Sequence, residues 1–136
     1  MRILLVVNAS ASSVTARRQV LVQMVLSRDH EVEVAETNRR GHATKLALDA
    51  AHRGVDVVAT LGGDGTLNEV ANGIAGTDCA LAPLPGGSTN VFARAIGLPD
   101  DPVDATVATV EALAADNVIP IGLGSMNGRY FLFHVG

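Results

Sequence analysis

Tryptophan is absent, tyrosine occurs once and phenylalanine three times, so the apolar 48% of this chain is carried mainly by aliphatic side chains, Ala and Val prominent among them. That profile excludes a disordered chain and suits a compact α/β protein around a buried parallel sheet. Basic residues are also scarce: 10 Lys and Arg stand against 14 Asp and Glu, for a formal net charge of -4. This argues against a nucleic-acid binder, which gains affinity by neutralising phosphates with Lys and Arg. A small anion held by backbone amides remains compatible with it. The single cysteine, Cys79, has no internal disulfide partner, as suits a reducing cytosol. No apolar run approaches the roughly 20 residues that span a bilayer. Residues 1–7 resemble the start of a signal peptide, but polar Asn8 interrupts them and no cleavage-site pattern follows. Repeats and low-complexity linkers are missing, and a length of 136 residues suffices for one domain but not for two.

What is present is an alternation of strand and helix patterns. Residues 3–7 are continuously apolar, as expected of a central parallel strand covered on both faces. Residues 14–26 can form a helix. Residues 31–37 alternate, with Val32 and Val34 on one side, which places that strand near an edge. A helix follows over 41–52, with an apolar stripe of Ala43, Leu46, Ala47 and Ala50. A buried strand is predicted over 55–61, then a short helix over 66–74 with Leu67, Val70, Ala71 and Ile74 as its stripe. A fourth strand spans 80–84, and a short helix 90–96 closes at Gly97 and Pro99. Asp101-Pro102 supplies an acidic N-cap and a first-turn proline for a helix whose stripe reads Val103, Val107, Val110 and Leu113. The pattern then changes. Apolar runs at 118–123 and 129–135 flank Met126-Asn127-Gly128, a strong hairpin signal. The expected fold is α/β: an open, mostly parallel sheet with helices on both faces. Residues 1–117 are expected to form the α/β domain and 118–136 a hairpin leading to a missing β-rich domain, so the chain reads as a truncation.

Two glycine-rich loops each follow a predicted strand and precede a predicted helix: Gly62-Gly63-Asp64-Gly65-Thr66 and Pro85-Gly86-Gly87-Ser88-Thr89-Asn90. Glycine serves where the backbone needs φ > 0 or must approach a ligand closely. The helix behind each loop offers free N–H groups and a positive dipole end, which bind phosphate without a cationic side chain. Neither loop ends in the Gly-Lys-Ser/Thr of a P-loop, and neither is the dinucleotide fingerprint. Asp64 is the odd member, since a carboxylate repels phosphates unless a cation or proton intervenes. Its available roles are to hold Mg²⁺ directly or through water, to accept a proton from an attacking hydroxyl, or merely to brace the turn.

The pentapeptide at 62–66 resembles a kinase superfamily that includes diacylglycerol, sphingosine, ceramide and NAD kinases and phosphofructokinases. Its extension through Asn68-Glu69-Val70, and the second loop running on to Gly97-Leu98-Pro99, are similar to the diacylglycerol/sphingosine kinase branch. Asn8 after the first strand, and Thr37 followed by Gly41-His42-Ala43, add two further matches. The resemblance implies a catalytic Asp64 and a nucleotide site of Asn8, Thr37, Gly62, Gly63, Gly65, Thr66, Glu69, Gly86, Gly87 and Ser88. It implies ATP as phosphoryl donor, Mg²⁺, a lipid acceptor with diacylglycerol first, and a β-sandwich domain carrying a further catalytic acid. It also implies a cytoplasmic protein that touches the inner face of the membrane only transiently, although no basic amphipathic helix in the sequence supplies that contact. Departures are Ala9 where many relatives have Pro, the serine-rich 10–13, and Val91 where many have Asp. Rival readings are an NAD kinase and a nucleotide-binding regulatory module without catalysis. His42 reads as a structural cap, His30, His52 and His134 as ordinary surface or core residues, and Arg17, Arg18 and Arg94 as weaker phosphate candidates.

Overall fold

Five consecutive apolar residues can be buried only where helices cover both faces of their strand. β1 (Arg2–Val7) occupies such a place in the computed structural model, and Ile3, Leu4, Leu5, Val6 and Val7 are all buried. The structure describes residues 1–8, 15–85, 101–114, 118–119 and 131–132, with backbone only for Asp64, Pro85 and the last two pairs. Three more strands join β1 in parallel: β2 (Glu31–Glu36), β3 (Val57–Gly62) and β4 (Ala80–Pro85), in the order β2-β1-β3-β4. β2 is an edge strand, as its alternation of exposed Glu with half-buried Val32 and Val34 required.

Period-2 alternation divides the buried strand residues between two cores. Ile3, Leu5, Val7, Val57, Ala59 and Leu61 point to one face, against α1 (Ala16–Ser27) and α4 (Pro102–Ala114). Leu4, Val6, Val58 and Leu81 point to the other, against α2 (His42–His52) and α3 (Asp64–Ile74). All four residues of the predicted α3 stripe are buried there, and so are Ala43, Ala47 and Ala50 of α2. Side-chain caps start α1, at Ala16 where a helix over 14–26 was expected, and α4, at Pro102 as expected. The Thr15 hydroxyl accepts the Arg18 N–H (3.1 Å), and one Asp101 carboxylate oxygen accepts those of Val103 and Asp104 (3.1 and 3.0 Å).

Two expectations are corrected. α3 begins at Asp64 rather than Thr66, because Gly63 is extended (φ -93°, ψ -171°) and the Leu67 N–H already closes the first turn on the Gly63 carbonyl (3.2 Å). In α4 the buried face is Pro102, Ala105, Thr106, Thr109, Ala112 and Leu113, with Val103 and Val110 packed against the same core, while Val107 of the expected stripe is 43% exposed. The threonines return their hydroxyls to the carbonyls of Pro102 (2.6 Å) and Ala105 (2.8 Å), so they pack as if they were apolar. β5 (Val118–Ile119) and β6 (Phe131–Leu132) pair antiparallel, as a hairpin requires. The turn residues Met126, Asn127 and Gly128, and the helix expected at 90–96, lie outside the described residues.

Candidate functional site

The C-terminal ends of parallel strands form one row of loops, and here the row changes direction at β1, which has β2 on one side and β3 on the other. A crevice opens outside the strands at such a switch point. Backbone bonds hold its floor: the Asn8 N–H donates to the Leu61 carbonyl and the Thr37 N–H to the Val7 carbonyl, both at 2.9 Å. The Thr37 hydroxyl lies 3.4 Å from that same Val7 oxygen. The Asn8 amide nitrogen donates to the Thr66 hydroxyl (3.3 Å), joining residues 58 positions apart into one wall. The resulting cleft has a volume of about 270 Å³, and Asn8, Thr37, Thr66 and Glu69 line it together.

The first turn of α3 opens beside this wall, and its N-cap residue, Gly63, has no side chain to cap it. Its N–H groups and the positive end of its dipole are therefore available to an anion. The glycines around it serve close approach rather than unusual dihedrals, since positive φ among the described residues occurs only at Gly41, Gly54 and Gly76. A Cβ at Gly62 would lie 3.1 Å from the Thr66 hydroxyl and 3.2 Å from the Asn8 Cβ, so any side chain there would push the wall apart. A Cβ at Gly65 would meet nothing within 4 Å, which leaves open space over the helix terminus.

Glu69 does more than line the cleft. Its carboxylate accepts the Gly41 N–H (2.9 Å), and its carbonyl accepts the Thr44 hydroxyl (2.8 Å). The loop after β2 is thereby fastened to α3. Gly41 caps α2 at φ 84°, a left-handed conformation that favours glycine. His42 braces the loop instead of capping helix N–H groups, since its Nδ1 accepts the N–H of Asn38, which precedes α2 (3.2 Å). The same loop brings Asn38, Arg39 and Arg40 to the cleft, beside Ala43 of α2; the sequence pattern singled out Ala43 but none of the other three. Their position between Thr37 and Gly41, two motif residues, was the signal that could have found them.

Gly86, Gly87 and Ser88 lie outside the described residues, as do Arg94 and His134, but Pro85 pairs with Gly62, so the strand leading to the second loop ends beside the first. Asp64 is the first residue of α3; its side chain is not described. Arg17 and Arg18 are exposed on α1, and His30 sits 3.2 Å from the Met1 amine. Among the described residues no three His, Cys, Asp or Glu gather as a metal-binding group, and no helix is long and apolar enough to cross a membrane. Burial, reinforced by the Asp56 carboxylate, pushes the Cys79 thiol up to about 11, as befits an inert core residue.

Known proteins share both the pattern and the fold. The chain is 41% identical over 110 residues to a diacylglycerol kinase of Bacillus subtilis (strain 168), a match covering 76% of this chain and 34% of that protein. A diacylglycerol kinase of Staphylococcus haemolyticus (strain JCSC1435) is 40% identical over 105 residues, covering 76% and 31%. The chain thus spans about a third of the length of these curated relatives. A crystal structure of a diacylglycerol kinase from Bacillus anthracis str. Sterne superposes with a TM-score of 0.80 at 29% identity, over 96% of this chain and 45% of that one. Residues 2–126 match the family described as the diacylglycerol kinase catalytic domain, so the motifs, the fold and the match across most of its length place this chain in that family.

Proposed function

We propose that this chain is the nucleotide-binding part of an ATP-dependent lipid kinase, which transfers the γ-phosphoryl of ATP to a lipid hydroxyl, with diacylglycerol as the first acceptor to test. The observation that carries this reading is the convergence of Asn8, Thr37 and Thr66 on the uncapped start of α3 in a member of this family. Gly62, Gly63, Gly65 and Thr66 bind phosphates through the first turn of α3, and Gly86, Gly87 and Ser88 do so from the neighbouring strand. Asn8 and Thr37 take the nucleoside side, and Glu69 keeps that side in place.

Phosphoryl transfer requires little covalent help from the protein; positioning and neutralisation of charge carry most of it. A single carboxylate in the first turn of α3, with phosphate oxygens beside it, suits Mg²⁺, which binds one or two carboxylates and keeps several waters. When bound, Mg²⁺ neutralises the phosphate oxygens. Asp64 also takes the proton of the acceptor hydroxyl, alone or with an acid from the part of its relatives that this chain does not span. Selection of the acceptor belongs to that part, beyond an α/β domain ending near residue 117. Contact with the membrane is transient.

The test supplies the intact protein with labelled ATP, Mg²⁺ and, in separate reactions, diacylglycerol, a sphingoid base and NAD. Label is expected in phosphatidic acid and should fall at least about 100-fold on Asp64→Asn, the scale of a lost general base. Label in NADP would establish an NAD kinase instead, and ATP binding without transfer to any acceptor would establish a module without catalysis.

A further inference from the structure

Two helices cover one face of the sheet, and the sides that they turn to solvent carry opposite charge. α1 and α4 pack side by side over the core that holds Leu5, Val57 and Leu61. Val22 and Leu26 of α1 point into that core and are buried. The row on its other side, Arg17, Val20, Leu21, Met24 and Arg28, is exposed. Met24 is 63% exposed and Val20 54%, and the helix carries no Asp or Glu. On α4 the exposed row is Asp104, Val107 and Glu111, and that helix carries no Lys, Arg or His. The two helices adjoin, yet Arg17, Arg28, Asp104 and Glu111 form no ion pair among the described residues, where the salt bridges belong to Arg53. Their charges are turned outward.

Single exposed apolar residues are ordinary on any protein surface. Three in one row, with Val107 on the adjoining helix, make a patch that calls for a partner. An anionic lipid surface would attract the arginines of α1 but meet the carboxylates of α4 on the same side. A second copy of the chain suits both rows. A two-fold axis along the seam between the helices lays α1 of one copy over α4 of the other, and α4 over α1 in turn. Arginines at the ends of one row then meet acids at the ends of the other, with Val20, Leu21 and Met24 against Val107 between them. Each row has the same charge at both ends, so the match holds whichever way the helices run. The rows are about 16 and about 10 Å long at 1.5 Å per residue, a difference that long arginine side chains close. The alternative two-fold, α1 on α1, would set arginine against arginine. We infer that the α1–α4 face is a self-complementary interface for a second copy of this chain. Two helices from each copy make a small, transient contact, with a dissociation constant on the order of micromolar. This inference is independent of the nucleotide reading.

Sedimentation velocity of the intact protein between about 1 and 100 µM tests the assignment. The average mass should rise from monomer toward dimer across that range, and salt at about 0.5 M should move the rise to higher concentration. Arg17→Glu/Arg28→Glu and Asp104→Lys/Glu111→Lys should each weaken self-association at least about 10-fold, because like charges then face each other. Mixed together, the two variants are complementary at both helix contacts and should form a heterodimer within about 3-fold of the parent affinity. All four positions are exposed, so both variants keep their fold, and recovery in the mixture would show it. A parent that stays monomeric throughout, variants that dimerise as the parent does, or a mixture that fails to associate would each overturn the assignment. So would a monomeric parent that binds phosphatidylglycerol vesicles and loses them on Arg17→Glu/Arg28→Glu, which would give this face to lipid.

Discussion

Gly73 lies four residues after Glu69, on the same face of α3, in a seam against α2 that has no room for a side chain. A Cβ at that position would sit 2.5 Å from the Thr44 carbonyl oxygen, 2.8 Å from the Ala47 Cβ and 3.1 Å from the Leu48 backbone nitrogen. Two of those atoms are helix backbone and cannot swing aside. Even weak C–H···O contacts settle at about 3.3–3.6 Å, so Gly73→Ala must drive the two helices apart by roughly 0.8 Å. Alanine would by itself favour the helix by about 1 kcal/mol. Overpacking costs about 1–3 kcal/mol, and a 0.5–1 Å gap also forfeits roughly a quarter to a half of each dispersion contact along the seam. The repulsion wins, leaving Gly73→Ala destabilised by about 1–3 kcal/mol, or about 3–10 °C in melting temperature for a domain of this size. Urea titration and calorimetry would measure it. Gly65→Ala is the control on the same helix: its Cβ meets nothing within 4 Å, so stability should hold or rise by up to about 1 kcal/mol. The Glu69 bonds to Gly41 and Thr44 cross the same seam, so Gly73→Ala should weaken nucleotide binding as well. A Gly73→Ala protein as stable as its parent would refute the packing of α2 on α3 described above.

The raised Cys79 pKa and the exposed face of α4 yield two more tests. The folded state holds the thiol proton more tightly than the unfolded chain does. Its contribution is therefore complete below the ordinary value of 9.0 and is lost as pH rises toward about 11. Unfolding free energy measured across that window should fall more steeply in the parent than in Cys79→Ala, and parallel slopes would disprove the shift. On α4, Val107→Glu should change stability by no more than about 0.5 kcal/mol, whereas Ala105→Glu should cost at least about 4 kcal/mol by burying an unpaired charge. The reverse order in a melting experiment would mean that the helix is turned to bury the valine stripe.

Much of this protein was legible in one dimension because its signals are local. A both-faces-buried strand needs a continuous apolar run, and residues 3–7 supply one. An edge strand needs alternation, which Val32 and Val34 show. Asp101-Pro102 is enough to start α4, and the glycines at 62, 63 and 65 marked the turn from β3 into α3. Tertiary structure decided the rest. The predicted α4 stripe failed only at Val107: Val103 and Val110 pack against the core and Leu113 belongs to it, but apolarity says nothing of a threonine whose hydroxyl returns to its own helix, as Thr106 and Thr109 do. No described glycine of the first loop has positive φ, while Gly41, in the loop across the cleft, does. Glu69 could be read as part of the site, but its latch on Gly41 depends on how α2 packs against α3. Nothing in the sequence singled out Arg39 and Arg40; the order β2-β1-β3-β4 is what brings their loop to the same cleft as Thr66. Periodicity and turn chemistry follow from neighbours along the chain, whereas which loops face one another is set by strand order, and strand order is a property of the whole fold.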